Sequence, residues 1–277
     1  MTAAAQECVI ALDDGRHAIV SGATSAEGTL LVWLNAGFLP HVGPFRLHVE
    51  LGRQLAAQGW ASARFDAPGI GDSVAAAQTT PVRTLCRDLD TLHIATGCTR
   101  FVIGGICSAA DLAWATAQAD SRVTGIVMLD GMARAGRGYR WGQVNLLLRF
   151  RSPLQWPGLV LKQLLARRAA ADNAECALRA EDYRDWPSAG SESEQLATLL
   201  HREVRIFVRY TGGAADYFLH PKQFFDTFGP HARDRRIDFA HWPQCDHLFY
   251  DPQDRARLAS ALHQWLLTLP TRNSVPS

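Results

Sequence analysis

The sequence predicts an α/β protein: a mostly parallel sheet with helices on both faces and a helical cap. Apolar, β-branched runs alternate with helix-like segments along most of the chain, which is typical of parallel sheets with right-handed crossovers. Runs such as LLVWLN (30–35) show no polar alternation, as expected of strands buried on both faces. The stretch 132–200 has no strand-like run. We therefore expect a core over 1–131 and 201–277, with 132–200 inserted as a cap above the carboxyl edge of the strands.

The individual elements follow from local periodicity and from helix-start signals. Apolar residues at helical spacing, Leu47, Leu51 and Leu55, predict the first helix, and Pro252 suits the first turn of the last one. Strands are predicted at 17–24 (paired with CVIAL), 30–35, 61–66, 101–105, 123–130, 204–210 and 236–243. Helices are predicted at 45–60, 80–96, 108–119 and 252–269.

Composition excludes several classes of function. The 277 residues are 47% hydrophobic with a net charge of +1, so a large core can form and nucleic acid is not an expected partner. The six cysteines show no CxxC pair and no zinc-like spacing with histidine, so neither a disulfide framework nor a structural metal is indicated. The N-terminal segment lacks signal-peptide character and no apolar run is long enough to span a bilayer, so a cytoplasmic location is expected.

No cofactor is expected either. The stretch PGIGDS places Gly69 and Gly71 after a predicted strand, as in a dinucleotide-binding fingerprint. However, position 74 is Val where that motif needs a third glycine, and the motif follows the wrong strand. We therefore reject the dinucleotide interpretation.

The stretch FVIGGICSAADLAW (101–114) predicts a nucleophile elbow, a tight turn between a strand and a helix that projects one side chain above the sheet. Such a turn needs small residues two positions before and after the nucleophile. Cys107 meets the requirement with Gly105 and Ala109, whereas Ser108 would place Ile106 in the first of these positions. The spacing therefore favours Cys107, whose thiolate a helix N-terminus and a nearby imidazolium would stabilise. The alternative is a small buried cysteine at a strand end.

A thiol nucleophile needs a base and an acid that orients it. On a sheet of this kind the chain order is nucleophile, acid, histidine. His247, in QCDHLFY before the last helix, is the expected base, and Asp216, in TGGAADYF after the penultimate strand, is the expected acid. Asp130, at the end of GIVMLD, is an alternative acid, although a turn or capping role is favoured for it.

The oxyanion hole needs two backbone N–H groups. Ser108 is expected to supply one, and Phe38 or Leu39 the other, with Gly37 permitting the turn of the loop AGFLPHVGPF. In the same loop, His41 and Arg46 are candidate substrate-binding residues, with a solvated loop as an equal alternative.

With these motifs in view, the chain resembles the α/β-hydrolases over nearly its full length outside the cap: LNAGF, RFDAPGIGDS, GGICSAA, TGGAAD and CDHLF match the family's loops. The elbow GICSA is most similar to the cysteine-bearing exosortase-A-associated hydrolases, whose elbow reads Gly-Leu-Cys-Asp-Gly, and more distantly to the Dieckmann-type cyclases. The resemblance implies Cys107 as nucleophile, His247 as base and Asp216 as acid. The chain departs from that branch at Ser108 and Ala109.

A thiolate exchanges readily with a thioester, because the attacking and leaving sulfurs are alike. We therefore expect a thioesterase, acyltransferase or cyclase that acts on a coenzyme A or acyl-carrier-protein thioester. The segment 132–170 has eight basic and no acidic residues, which suits an acidic carrier, although a solvated helix explains it equally. The alternatives are a small-molecule ester hydrolase and a non-catalytic binding module. Membrane contact through the cap is a third, less favoured interpretation, and the sequence leaves the oligomeric state open.

Overall fold

The computed structural model describes residues 6–12, 14–26, 28–74, 77–136, 138–139, 141–142 and 184–270. Within them lies one sheet of eight strands. The strands are β1 Glu7–Ala11, β2 His17–Ser21, β3 Thr29–Trp33, β4 Ala61–Phe65, β5 Arg100–Ile106, β6 Val123–Leu129, β7 Arg205–Thr211 and β8 Ile237–Trp242. The α-helices are α1 Leu47–Ala56, α2 Pro81–Thr96, α3 Ser108–Ala119, α4 Glu192–His201, α5 Lys222–Phe228 and α6 Pro252–Leu266.

The strands lie in the order β1-β2-β4-β3-β5-β6-β7-β8. β1 pairs antiparallel with β2, and β2 antiparallel with β4, whereas all later pairings are parallel. The chain crosses from one side of β3 to the other between β4 and β5, so the sheet has a topological switch point beside β3. Ligands bind at the carboxyl ends of the strands next to such a point.

Two hydrophobic layers enclose the sheet. On one face, helices α2, α3, α4 and α5 contribute apolar residues to the larger cluster, which includes Leu89 and Trp114. On the other face, α1 and α6 bury Leu51, Leu262 and Trp265 against the strands. The predicted fold class is therefore confirmed, and every strand and helix predicted outside the cap forms, with small differences at the ends.

The cap is where prediction and structure differ. Most of the expected insertion, 143–183, lies outside the described residues. Its last part, α4, packs in the core layer: the indole Nε1 of Trp114 on α3 donates to Oε1 of Gln195 at 2.7 Å. The helix leads directly into β7, so it serves as the crossover helix, and the core resumes at about Glu192 rather than at 201. Helix α5 was not predicted at all.

No helix among the described residues is long and apolar enough to cross a membrane. The expectation of membrane contact through the cap concerns residues that lie mainly outside the described ranges.

Strand β5 approaches β6 so closely that Gly104 has no room for a side chain. A Cβ at this position would lie 2.1 Å from the carbonyl oxygen of Val127. We expect Gly104→Ala to lower the free energy of unfolding by about 1–3 kcal/mol, because the backbone of the central strands must shift. Gly136→Ala is the matched control, since among the described residues its new methyl group would meet a single atom at 4.0 Å. Urea unfolding of both variants checks the prediction, and equal stabilities would contradict it.

Candidate active site

Cys107 occupies the tight turn between β5 and α3. Its backbone dihedrals are φ 59° and ψ −123°, a conformation that non-glycine residues rarely adopt and that costs on the order of 1–3 kcal/mol. Its N–H donates to the carbonyl of Leu129 at 2.8 Å, while its own carbonyl accepts from the N–H of Ala110 at 3.0 Å. The neighbouring strand and the first turn of α3 therefore hold the strained residue in place.

The small residues around Cys107 are required by contact. A Cβ built on Gly105 would lie 2.7 Å from the Cβ of Ala109 and 3.0 Å from the carbonyl oxygen of Leu34. The two small residues expected on either side of the nucleophile thus face each other across the turn. The same turn shifted by one residue would need Ile106 to fit where Gly105 lies.

His247 lies in the loop after β8 and contacts both the thiol and a carboxylate. Its Nδ1 forms a 2.7 Å hydrogen bond with Oδ2 of Asp130, and the imidazole lies near enough to the thiol of Cys107 to lower the pKa of that thiol. The three side chains thus lie in the order thiol, imidazole and carboxylate, the arrangement by which enzymes with a cysteine nucleophile activate the thiol.

Asp130 follows the last residue of β6 and has no solvent exposure. Its Oδ1 accepts from the N–H of Thr211 at 2.6 Å, and its Oδ2 accepts from the hydroxyl of Thr211 at 2.7 Å as well as bonding His247. The phenol of Tyr217 donates to its backbone carbonyl at 2.6 Å. Like Cys107, Asp130 has a positive φ, 50°. Its carboxylate is therefore fixed in both position and orientation.

The expectation that Asp216 orients His247 is not met by the geometry. Asp216 is exposed, and in the described part of the chain the carboxylate that bonds His247 is that of Asp130. The backbone carbonyl of Asp216 instead accepts from the hydroxyl of Tyr139 at 2.9 Å. The physical reason is reach: Asp130 directly follows its strand, whereas Asp216 lies five residues beyond the end of β7, past a 3-10 turn. The alternative acid, Asp130, takes its place.

The two glycines before Asp216, Gly212 and Gly213, pack against the loop that carries His247. A Cβ on Gly213 would lie 2.3 Å from the backbone nitrogen of His247, and one on Gly212 would lie 2.2 Å from the carbonyl oxygen of Pro243. The N–H of Gly212 also donates to the carbonyl of Cys245 at 2.9 Å. This loop therefore makes room for the histidine loop and braces it.

Electrostatics favour a thiolate–imidazolium pair. Burial opposes ionisation of Cys107, but the hydrogen bond with His247 and the positive charges of Arg184 and His247 outweigh it and lower the pKa of the thiol. The hydrogen bond with Asp130, followed by the one with Cys107, raises the pKa of His247 to about 9. At neutral pH the imidazole of His247 therefore favours its charged form, and the lowered pKa of Cys107 shifts the thiol towards the thiolate.

Arg184 was not anticipated from the sequence. Its Nε donates to Oδ2 of Asp111 on α3 at 2.6 Å, both side chains being buried, and its Nη2 donates to the carbonyl of Asp130 at 3.2 Å. The guanidinium carbon lies 5.2 Å and 5.1 Å from the ring centroids of Trp186 and Tyr217. The buried guanidinium of Arg184 thus connects α3 to Asp130. No short-range sequence pattern indicates this role.

The oxyanion loop corrects one expectation and adds one contact. The N–H of Leu39 donates to the carbonyl of Ala36 at 3.0 Å, so it is occupied in a turn. The N–H of Gly37 donates to the hydroxyl of Ser108 at 2.9 Å, so Ser108 contributes a side-chain contact as well as its N–H. The N–H of Phe38 has no acceptor among the described residues. Phe38 and Ser108 therefore remain the candidate oxyanion donors.

Asp66, at the end of β4, braces this loop. Its Oδ1 accepts from the amide side chain of Asn35 at 3.0 Å and from the N–H of His41 at 2.6 Å, and its Oδ2 bonds Nδ1 of His41 at 2.8 Å. A Cβ on Gly71 would lie 2.3 Å from Oδ2, which explains the glycine of PGIGDS. Burial raises the pKa of Asp66, but these bonds, His41 first, lower it overall.

The two candidate substrate-binding residues differ in their surroundings. His41 is committed to Asp66, and Arg46 is exposed with φ 64° just before α1. Among the described residues, His41, Asp66 and Asp72 place ligand atoms within 4.8 Å of one another, as a metal site would. Because both oxygens of Asp66 already accept hydrogen bonds from loop residues, bracing of the loop accounts for this trio.

The sequence matches no protein-family model and no curated protein. Solved structures match over nearly the whole chain. An esterase from Thermogutta terrifontis has a TM-score of 0.56 at 18% identity, covering 96% of this chain and 100% of that one. A lid-less serine hydrolase from Xanthomonas campestris has a TM-score of 0.52 at 12% identity, covering 100% and 99%. An esterase from Pyrococcus furiosus has a TM-score of 0.58 at 10% identity, covering 96% and 91%. The chain therefore has the α/β-hydrolase fold.

The charge pair makes a prediction about thiol reactivity. Alkylation of Cys107 by iodoacetamide, followed across pH by peptide mass spectrometry, should reach half its maximal rate below the pH of a free thiol, about 8.5. In His247→Gln the half-point should move upward, because burial continues to oppose ionisation and the hydrogen bond from imidazolium is gone. Cys8, which is exposed, serves as the internal reference. Identical profiles in the two proteins would disprove the pairing.

Proposed function

We propose that this protein is an enzyme that transfers an acyl group from a thioester, through an acyl-S-enzyme formed on Cys107. The observation that carries the proposal is the strained elbow: it presents a thiol of lowered pKa to His247, which Asp130 holds at 2.7 Å. The acyl donor is a coenzyme A or carrier-protein thioester. The basic segment that suggested a carrier protein lies mainly outside the described residues, so the choice between these donors rests on the sequence.

In the first half-reaction, the Cys107 thiolate attacks the carbonyl carbon and forms a tetrahedral oxyanion. The N–H groups of Ser108 and Phe38 stabilise the new negative charge. When the intermediate collapses, the carbon–sulfur bond to the donor breaks. The imidazolium of His247 gives its proton to the departing thiolate, which leaves a neutral imidazole and an acyl-S-enzyme.

In the second half-reaction, the neutral imidazole takes a proton from the acceptor, whether water, an amine, an alcohol or a carbon acid. The acceptor attacks the acyl carbon, and the Cys107 thiolate leaves as the product forms. His247 is an imidazolium again, so the ion pair of the resting enzyme is restored. Asp130 keeps its charge throughout and stabilises the imidazolium.

Hydrolysis of a small oxygen ester is the second candidate, and it comes from the fold neighbours, two of which are described as esterases. The chemistry of the nucleophile distinguishes thioester transfer from hydrolysis of an oxygen ester. A low-pKa thiolate is a better leaving group than an alkoxide, so when Cys107 attacks an oxygen ester the tetrahedral intermediate tends to expel Cys107 again. When it attacks a thioester, both possible leaving groups are thiolates, and acyl transfer to Cys107 is not disfavoured in this way. The thiol at the elbow therefore favours the thioester.

Replacement of the thiol tests the proposal directly. Cys107→Ala should lower the turnover of octanoyl-coenzyme A by about a thousandfold or more, because the attacking atom is removed. Cys8→Ala, a change at an exposed cysteine, is the control. The wild-type protein should carry an octanoyl adduct on the Cys107 peptide in quenched reactions. An adduct on Ser108, or full turnover by Cys107→Ala, would refute the proposal, and faster turnover of 4-nitrophenyl octanoate would favour the ester candidate.

The identity of the acid is tested by a matched pair of substitutions. Asp130→Asn should lower kcat roughly a hundredfold to ten-thousandfold, because the amide neither stabilises an imidazolium nor selects the reactive tautomer. Asp216→Asn should behave as wild type, since that side chain is exposed and the carboxylate on His247 belongs to Asp130. The opposite ranking would restore Asp216 as the acid. Thermal unfolding of both variants identifies any loss caused by misfolding.

A further inference from the structure

A cavity of about 580 Å³ opens beside the elbow. Its wall includes Ser108, which follows the nucleophile, and Gly37 of the oxyanion loop. The volume lies in the range of small-molecule sites and equals roughly twenty water molecules. It is therefore far larger than an acetyl group requires.

Helix α3 forms one wall of this cavity along its length. The lining residues Ser108, Asp111, Leu112 and Ala115 occur at positions i, i+3, i+4 and i+7, which is a single face of a helix. Seven residues correspond to two turns and about 10 Å. The cavity thus extends away from Cys107 along about two turns of α3.

The facing wall is largely apolar. It comes from the end of β4 and the loop after it, and from the first turns of α2, with Phe65, Pro68, Ile70, Val82 and Leu85 among its residues. Apolar walls provide burial for methylene groups at roughly 0.8 kcal/mol each.

The buried charges on the wall are already paired. Asp111 bonds Arg184 at 2.6 Å, and Asp88 bonds Arg16 at 2.6 Å, whereas Asp185 is exposed. Among the described residues, Arg184 Nη1 and Asp111 Oδ1 have no hydrogen-bond partner, but both atoms are covered by protein. The wall therefore offers an anionic group little attraction, and a long apolar chain suits it.

We infer that this cavity binds the acyl chain of the substrate, and that the substrate is a thioester of a medium or long apolar acyl group rather than of a short or charged one. The inference rests on the proposed function in one respect: it takes the sulfur of Cys107 as the atom that is acylated. The chain would run from Cys107 past Ser108 and along α3 towards Ala115.

The test uses covalent labelling, so that it needs no turnover. Octyl and methyl methanethiosulfonate each react with a thiolate to form a mixed disulfide and release methanesulfinate. The ratio of octyl to methyl rates cancels any change in thiol reactivity. Peptide mass spectrometry gives this ratio at Cys107 and at the exposed Cys8 of the same molecule. We expect the ratio to be roughly tenfold or more higher at Cys107, because the octyl chain is buried there.

Two substitutions from opposite walls then fill the cavity. Ala115→Trp on α3 and Val82→Trp on α2 should each reduce the ratio at Cys107 to near that of Cys8, whereas Ala119→Trp, at the exposed end of α3, should not. Thermal unfolding shows which variants fold, and one folded variant suffices. Equal ratios at Cys107 and Cys8 in the wild type would overturn the inference, as would a ratio unchanged in every folded cavity variant.

The two proposals fail separately. If the labelling ratios are as expected but no thioester is turned over, the cavity assignment stands and the proposed function is wrong. If turnover requires Cys107 but acetyl- and octanoyl-coenzyme A react with equal kcat/KM and the labelling ratios are equal, only the chain-binding inference is wrong.

Discussion

The buried carboxylate of Asp130 is the interaction on which the rest of the site depends. It is fully enclosed, and its oxygens bond both the N–H and the hydroxyl of Thr211 as well as the ring of His247. These bonds connect the ends of β6 and β7 to the loop after β8. A buried charge without such partners is very costly, so the carboxylate, the histidine loop and the sheet edge must assemble together. The lowered pKa of Cys107 depends on His247, and therefore on that assembly.

The sheet itself supports the strained residues. Cys107 donates its N–H to Leu129, and Asp130 donates its N–H to Arg209, both at 2.8 Å. The parallel hydrogen-bonding ladder thus continues one residue beyond β5 and β6, into the two residues that carry the site's chemistry and have positive φ. Backbone strain persists where the surroundings over-determine it, and here the neighbouring strand provides that constraint. The backbone N–H and carbonyl groups of Cys107 and Asp130 are hydrogen-bonded, so the two side chains can project from the sheet edge without leaving a backbone group unpaired.

Local sequence patterns were sufficient for the fold and for part of the site. Cys107 could be chosen over Ser108 because the turn constrains residues only two positions away. The acid could not be chosen from local sequence, because Asp130 and Asp216 both follow strand ends. Which of them reaches His247 depends on the paths of the loops in three dimensions. The glycines before Asp216 pointed to that loop but serve close packing. Arg184 could not be found either, since its partners are distant in sequence, and periodicity alone could not assign α4 to the core layer rather than to the cap.

The lowered pKa of Cys107 also links chemistry to folding stability. A group whose pKa falls on folding stabilises the folded state once it is ionised, and this stabilisation is lost as pH falls through the folded pKa. His247, with its pKa raised to about 9, contributes at low pH and loses its contribution as pH rises through that value. At pH values between the folded pKa of Cys107 and that of His247, the attraction between the two charged side chains helps to offset the backbone strain at Cys107. In the reaction proposed above, acylation would convert the thiolate into a neutral thioester, so the intermediate would keep the strained backbone but lose this attraction. Before any contact of the acyl chain is counted, the proposed acyl-enzyme would be less stable than the free enzyme, and release of the acyl group would restore the lost stability.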